Sequence, residues 1–141
     1  IPAKGAYTFT DFDRFAQRYG VPLRQNPFFP INTLMLMRGA AGLQLREPAR
    51  CEPYMAAVFR AIWVDAQTLN DPATVASVLH TAGFDPAALL ALTQDAEVKE
   101  RLKTVTHEAV QRGVFGAPTF FAGGQMFWGQ DRLDFVKEAL Q

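Results

Sequence analysis

The feature that most constrains this chain is the stretch of residues 113–133, where turn residues, strand-forming residues and a helix start follow one another closely. Two short runs rich in aromatic residues, 119–122 and 125–128, are separated by a Gly-Gly pair. Glycine accepts the positive φ angles that a two-residue hairpin turn requires. The stretch therefore predicts a β-hairpin.

The two flanks of this hairpin carry further signals. Pro118 stands directly before the first run, which favours the first position of a strand because proline has no N–H to donate. Asp131 precedes residues 132–140 and is predicted to cap a final helix. The apolar residues that share one face of that helix are Leu133, Val136 and Leu140.

Ahead of the hairpin the sequence predicts one helix after another. Residues 1–5 read as a loop because they contain proline and glycine, and Thr8 or Thr10 is the predicted cap of the first helix. Asn32 or Thr33 is the predicted cap of a second helix, which ends near residue 45. Two glycines in that helix, at positions 39 and 42, indicate close packing against a neighbour.

The strongest amphipathic pattern covers residues 53–69 and predicts a core helix. Its apolar face consists of Met55, Val58, Phe59, Ile62, Trp63 and Ala66. Two further helices are predicted after Asp71-Pro72 and Asp85-Pro86, each with an aspartate cap and a first-turn proline. A long helix follows over residues 95–112, with Glu97 and Arg101 spaced as an i,i+4 ion pair.

Composition excludes several classes of protein. Lys+Arg and Asp+Glu both number 14, so no basic excess points to nucleic acid. The absence of a long apolar run or an N-terminal targeting pattern predicts no membrane association and a soluble cytoplasmic protein. Cys51 is the one cysteine, and His80 and His107 lack ligand spacing, so we expect no disulfide pair and no metal site.

The predicted fold class is α+β and mostly helical. A two-stranded hairpin alone is only marginally stable, so the hairpin should pair with further strands that this chain does not contain. The sequence also begins with Ile1 rather than Met. We therefore expect a fragment whose hairpin is completed by a preceding segment or by a second chain, as in a homodimer.

A long motif supports a specific resemblance. The residues are Ala-Pro-Thr-Phe-Phe at 117–121 and Gly-Gly-Gln-Met-Phe-Trp-Gly-Gln-Asp-Arg-Leu at 123–133. They resemble the signature of the 2-hydroxychromene-2-carboxylate isomerases, relatives of the kappa-class glutathione transferases with a thioredoxin-like fold. The resemblance implies that residues 1–94 are an all-helical insertion. Residues 95–141 would be the closing half of the thioredoxin-like domain, with the leading strand–helix–strand unit absent from this chain.

The same resemblance implies a glutathione site around the hairpin. Pro118 would follow a cis peptide bond, and the main chain of Ala117 would pair with the cysteinyl backbone of glutathione as an added strand does. The turn after the second strand would contact the γ-glutamyl end, with Asp131 pairing with its ammonium group. The residues of that turn are Trp128, Gly129, Gln130 and Asp131.

The resemblance also implies a reaction. Lys4, in a Pro-Ala-Lys-Gly segment, is a candidate to hold an anionic group of a small aromatic substrate, although a solvated lysine fits the same sequence. In the resembling enzymes the glutathione thiolate adds to a hydroxychromene carboxylate, allows bond rotation and then leaves. The serine that orients this thiolate lies on the family's leading strand, so we assign no catalytic residue in this chain.

Two alternatives of other classes stay open. One is a thiol–disulfide oxidoreductase of the thioredoxin superfamily, and the other is a non-catalytic binding module. Residues encoded before Ile1 would separate the three hypotheses, because they would contain a serine, a Cys-x-x-Cys pair or neither.

Overall fold

The computed structural model describes residues 2–141 and contains seven α-helices and one β-hairpin in that range. The helices are α1 (Pro2–Tyr19), α2 (Leu34–Arg46), α3 (Pro48–Trp63), α4 (Pro72–Thr81), α5 (Pro86–Gln94), α6 (Ala96–Gln111) and α7 (Leu133–Ala139). The hairpin consists of β1 (Thr119–Ala122) and β2 (Gln125–Trp128), and a short 3-10 helix, Gln130–Arg132, precedes α7. This content confirms the predicted α+β class.

The chain divides into two compact units within α6. We call residues 2–102 the helical unit and residues 103–141 the hairpin unit. The division into insertion and closing half that the resemblance places after residue 94 stays a prediction. No helix within residues 2–141 combines the length and the apolar character that crossing a bilayer would need.

The first helix begins earlier than predicted. α1 starts at Pro2, so residues 2–5 are helical and not a loop, while Ile1 lies outside the described residues. Proline suits a first helical turn, because its missing N–H would have no intrahelical partner there. Thr8 and Thr10 do not cap the helix, since both hydroxyls donate to carbonyl oxygens four residues earlier, at 2.9 and 3.3 Å.

The core of the helical unit is apolar and is formed mainly by α2 to α5. Its buried residues are Leu36, Leu43, Tyr54, Ala61, Ile62, Leu69, Val75, Leu79, Phe84 and Leu89. The two glycines of α2 confirm the predicted close packing. A Cβ atom at Gly39 would collide with the Tyr54 hydroxyl, and one at Gly42 would lie 2.6 Å from Cγ of Leu92.

The predicted face of α3 is partly wrong. The helix ends at Trp63, and Ala66 has a φ of +51°, which takes it out of the helix. The stripe that faces the core contains Tyr54, Ala61 and Ile62, whereas Met55 and Phe59 are exposed. Both stripes have helical spacing, so the periodicity alone could not choose between them.

The predicted aspartate caps of α4 and α5 are confirmed. Asp71 accepts from the Thr74 N–H at 2.9 Å, and Asp85 accepts from the N–H groups of Ala87 and Ala88 at 2.9 and 3.3 Å.

At the start of α2, Thr33 occupies the cap position but makes no side-chain cap bond. Asn32 supplies that bond, because its Oδ1 accepts from the Leu34 N–H at 3.1 Å. In α6, Glu97 pairs with Arg46 of α2 and not with Arg101, so the predicted i,i+4 pair is replaced by a tertiary one.

Candidate functional site

The hairpin has the turn that its sequence predicts. β1 and β2 pair antiparallel, with Thr119 opposite Trp128 and Ala122 opposite Gln125. Gly123 and Gly124 have φ angles of +56° and +75°. Positive φ at both central residues matches the twist of the strands, so the turn aligns the two aromatic runs.

The segment before β1 is tied to the hairpin by two hydrogen bonds. The Thr119 hydroxyl donates to the Gly116 carbonyl at 2.6 Å, and the Gly129 N–H donates to the Pro118 carbonyl at 3.0 Å. The peptide bond between Ala117 and Pro118 is cis. These contacts hold the start of β1 beside the end of β2.

Ala117 lies between these two anchors with its own backbone unpaired. The residue is exposed, and neither its N–H nor its carbonyl oxygen has a hydrogen-bond partner within residues 2–141. Unpaired backbone groups next to a strand can accept an added extended segment. The structure thus presents at Ala117 the kind of backbone that a peptide-like ligand could pair with.

Trp128 ends β2 and lies over the segment before β1. Its indole ring packs against Phe115, with ring centroids 5.2 Å apart and an angle of 51° between the planes. Half of the Trp128 surface remains exposed, at 50%. The indole therefore forms a partly exposed surface against Phe115 and Gly116, the two residues before Ala117 and Pro118.

Asp131 does not cap α7, which corrects the prediction. The 3-10 helix moves the start of α7 to Leu133, and the carboxylate makes no cap hydrogen bond. Asp131 Oδ2 instead accepts from Nη1 of Arg132 at 2.6 Å. Arg132, the partner of Asp131, is not among the predicted residues, although its place directly after Asp131 is a signal that could have identified it.

The other two residues of the turn have backbone roles. Gly129 is buried and directly precedes the 3-10 helix. Its φ angle of +108° is one that residues with a side chain rarely adopt. Gln130 is half-buried and begins the 3-10 helix. The structure thus brings Ala117, Pro118 and Trp128 together with this turn in one unit.

Lys4 belongs to the helical unit. It lies exposed on α1, and its side chain makes no hydrogen bond or ion pair within the described range 2–141. The exposed ammonium group can meet an anion or simply be solvated, so the two interpretations of Lys4 stay open.

The helical unit contains a competing concave feature, an apolar cavity of about 380 Å³ between α2, α3, α4 and α5. The polar side chains of its lining are already satisfied. The Tyr54 hydroxyl donates to the Leu36 carbonyl at 3.0 Å, and the Thr93 hydroxyl donates to the Leu90 carbonyl at 2.8 Å. Since no charged residue of the described range lines this cavity, the range supplies no group there to orient a charged ligand.

The described part of the chain offers no candidate metal site. Residues 2–141 contain no group of three or more His, Cys, Asp or Glu side chains that could hold a metal ion. His80 and His107 are exposed on separate helices. The hairpin and its following turn are therefore the candidate site.

Comparison with known proteins agrees with this architecture. The model of the DSBA-like thioredoxin domain family matches residues 1–141. The 2-hydroxychromene-2-carboxylate isomerase of Pseudomonas putida is 32% identical over 140 residues, covering 99% of this chain and 67% of that protein. Glutathione S-transferase kappa 2 of Caenorhabditis elegans is 28% identical over 152 residues, covering 99% of this chain and 68% of that protein.

A solved structure shows the same fold. The structure of a 2-hydroxychromene-2-carboxylate isomerase superposes with a TM-score of 0.81 at 30% sequence identity. The superposition covers 99% of this chain and 66% of that one. The chain thus spans about two thirds of the length of the proteins that it matches.

Proposed function

Because the chain belongs to the DSBA-like thioredoxin domain family and, within it, to the 2-hydroxychromene-2-carboxylate isomerases, we propose that it serves a glutathione-dependent isomerisation of a hydroxychromene carboxylate. The proteins it matches are named as isomerases and as kappa-class glutathione transferases, which supports an isomerase or transferase of thioredoxin fold. The use of glutathione and the identity of the substrate are the parts that we propose.

The observation that carries the proposal is the unpaired backbone of Ala117. Glutathione is a peptide, so its cysteinyl residue has one N–H and one carbonyl oxygen to pair. Within the described residues, the N–H and the carbonyl oxygen of Ala117 are free, and Ala117 lies two residues before the start of β1. An extended ligand backbone can therefore pair with Ala117 as an additional strand would.

The turn after β2 can hold the other end of glutathione. The γ-glutamyl end carries both an ammonium and a carboxylate group, and Asp131 and Arg132 offer one charge of each sign side by side. Oδ2 of Asp131 is bonded to Arg132, whereas Oδ1 has no hydrogen-bond partner within residues 2–141. In this proposal Oδ1 accepts from the ligand ammonium, and the Trp128 indole covers the ligand from one side.

Gly129 keeps room for that carboxylate oxygen. A Cβ atom at this position would lie 2.6 Å from Oδ1 of Asp131 and would push it away. The positive φ of Gly129 also favours glycine. The residues present therefore match the γ-glutamyl group in charge, and Gly129 leaves the Asp131 carboxylate in place to meet it.

Bound glutathione would supply the thiol nucleophile for the isomerisation. The residues of this chain hold and orient it: Ala117 pairs with its backbone, and Trp128 and Asp131 fix its γ-glutamyl end. Orientation of a bound nucleophile can contribute several kcal/mol to a reaction. Lys4 would hold the anionic group of the small aromatic substrate, and no residue of this chain is assigned a catalytic role.

Calorimetric titration of glutathione into the protein and its Asp131→Asn variant tests the proposal. Asparagine keeps the shape of the side chain but removes its charge, so a charge-assisted contact worth about 1.5–3 kcal/mol is lost. We expect affinity to fall roughly ten- to more than a hundredfold.

Asp134→Asn is the matched control, because it removes the same charge from the first turn of α7. Equal affinity of the Asp131 and Asp134 variants would contradict the role of Asp131. A protein that binds no glutathione at millimolar concentration would contradict the proposed function as a whole.

A further inference from the structure

Gly116 lies against the indole ring of Trp128. A Cβ atom built on Gly116 would be 2.5 Å from Nε1, 3.2 Å from Cε2 and 3.4 Å from Cδ1 of that ring. Contacts below about 3 Å are essentially unknown for real Cβ atoms. Any residue other than glycine at position 116 would therefore displace the indole.

The indole of Trp128 is half exposed and can turn toward solvent, whereas the backbone of Gly116 is held in place. The Phe115 ring packs against it at 5.2 Å between centroids. The carbonyl oxygen of Gly116 is bonded to the Thr119 hydroxyl at 2.6 Å, which fixes the glycine backbone beside the first strand. A side chain at position 116 would thus shift the ring and not the backbone.

The requirement for glycine at this position is one of space and not of backbone conformation. Gly123, Gly124 and Gly129 have positive φ angles, whereas Gly116 does not. Alanine can therefore adopt the backbone of residue 116 without strain. We therefore expect the effect of Gly116→Ala to come from the collision with Trp128.

We infer that Gly116 is a positioning residue, which sets the Trp128 indole against the ligand by leaving space for its Nε1 edge. The inference rests on the proposed function for the identity of that ligand, the γ-glutamyl end of glutathione. The geometry of the indole itself does not depend on that proposal. Two measurements separate these parts.

The first measurement needs no ligand. Trp63→Phe leaves Trp128 as the single tryptophan, since the chain has two. In this background Gly116→Ala should shift the emission maximum of Trp128 and change its quenching by acrylamide. Gly5→Ala is the matched control, because a Cβ atom there meets nothing within 4 Å. An emission spectrum and quenching that Gly116→Ala leaves unchanged would overturn the positioning role.

The second measurement is a double-mutant cycle with glutathione as the probe, using Gly116→Ala, Trp128→Ala and the double variant. We expect Gly116→Ala to weaken binding at least about twofold in the wild-type background and to have no effect once Trp128 is alanine. An equal loss in both backgrounds would show that Gly116 acts through the Ala117 backbone, which would overturn the inference.

If the wild-type protein binds no glutathione, the proposed function fails, and the ligand part of this inference fails with it. The fluorescence of Trp128 still decides whether Gly116 positions the ring.

Discussion

The helical unit and the hairpin unit differ in how they bury apolar residues. The helical unit surrounds side chains such as Leu43 and Val98, which are 1% and 0% exposed. In the described residues of the hairpin unit, Ala122 is the one buried hydrophobic residue, while Phe115, Phe135 and Leu140 are more than half exposed. The difference indicates that stability resides mainly in the helical unit, and that the hairpin unit leaves most of its large apolar side chains exposed.

The physical reason is the amount of apolar surface that each unit buries. Burial of apolar surface contributes roughly 25 cal/mol per Å², and four packed helices bury far more than a two-stranded sheet with one short helix. A hairpin alone is only marginally stable. Variants of the helical unit should therefore change the free energy of unfolding, whereas variants of the hairpin unit should change mainly binding.

The largest effect is expected from a cavity in the helical core. Leu43→Ala should lower the free energy of unfolding by about 2–5 kcal/mol, because the buried side chain is lost and its space is only partly refilled. Leu140→Ala, at a position 72% exposed in the hairpin unit, should change it by no more than about 0.5 kcal/mol. Urea unfolding measures both, and equal losses would break the comparison.

A second expected effect concerns alkaline pH. The pKa of Tyr54 is raised to about 12, mainly because the phenol is buried and secondly because of the charge of Cys51. Because the folded-state pKa lies above the value of about 10 in the unfolded chain, this tyrosine stabilises the fold below pH 10. That contribution, about 2–3 kcal/mol, is lost as the pH rises from about 10 to about 12.

Urea unfolding at about pH 9 and about pH 11.5 measures this loss. The Tyr54→Phe variant should lose less stability over that range than the wild type, since it has no phenol to ionise. Tyr19→Phe, on an exposed residue of α1, serves as the control and should keep the wild-type loss. An identical pH dependence in the wild type and the Tyr54 variant would contradict the buried state of this phenol.

The smallest effect compares two aspartates that the sequence assigned to the same role. Asp85→Ala should cost about 1 kcal/mol of stability, because two N–H groups of α5 lose their acceptor. Asp131→Ala should cost less than about 0.5 kcal/mol, because its carboxylate bonds to exposed Arg132 and not to a helix N-terminus. Thermal or urea unfolding of both variants tests this, and an equal cost would restore Asp131 as a cap.

Local interactions explain what could be predicted from the sequence. A Gly-Gly turn needs only two residues of positive φ, so the hairpin over residues 119–128 was correctly placed. The caps Asp71 and Asp85 bond to N–H groups two or three residues away, and their signals are equally short in range. The long motif of residues 117–133 was sufficient to indicate the family.

Contacts between residues far apart in the sequence determined the features that could not be predicted. Asn26 is buried, and its side chain donates to the carbonyls of Ile62 and Gln67, both at 2.9 Å. The residues next to Asn26 in the sequence do not indicate these partners. The packing of α2 against α3 chose which of two helical stripes faces the core. Gly116 meets Trp128 only because the hairpin folds one over the other. A sequence pattern records backbone preferences over a few residues, whereas the partner of a buried polar group or an aromatic ring depends on where the folded chain places it.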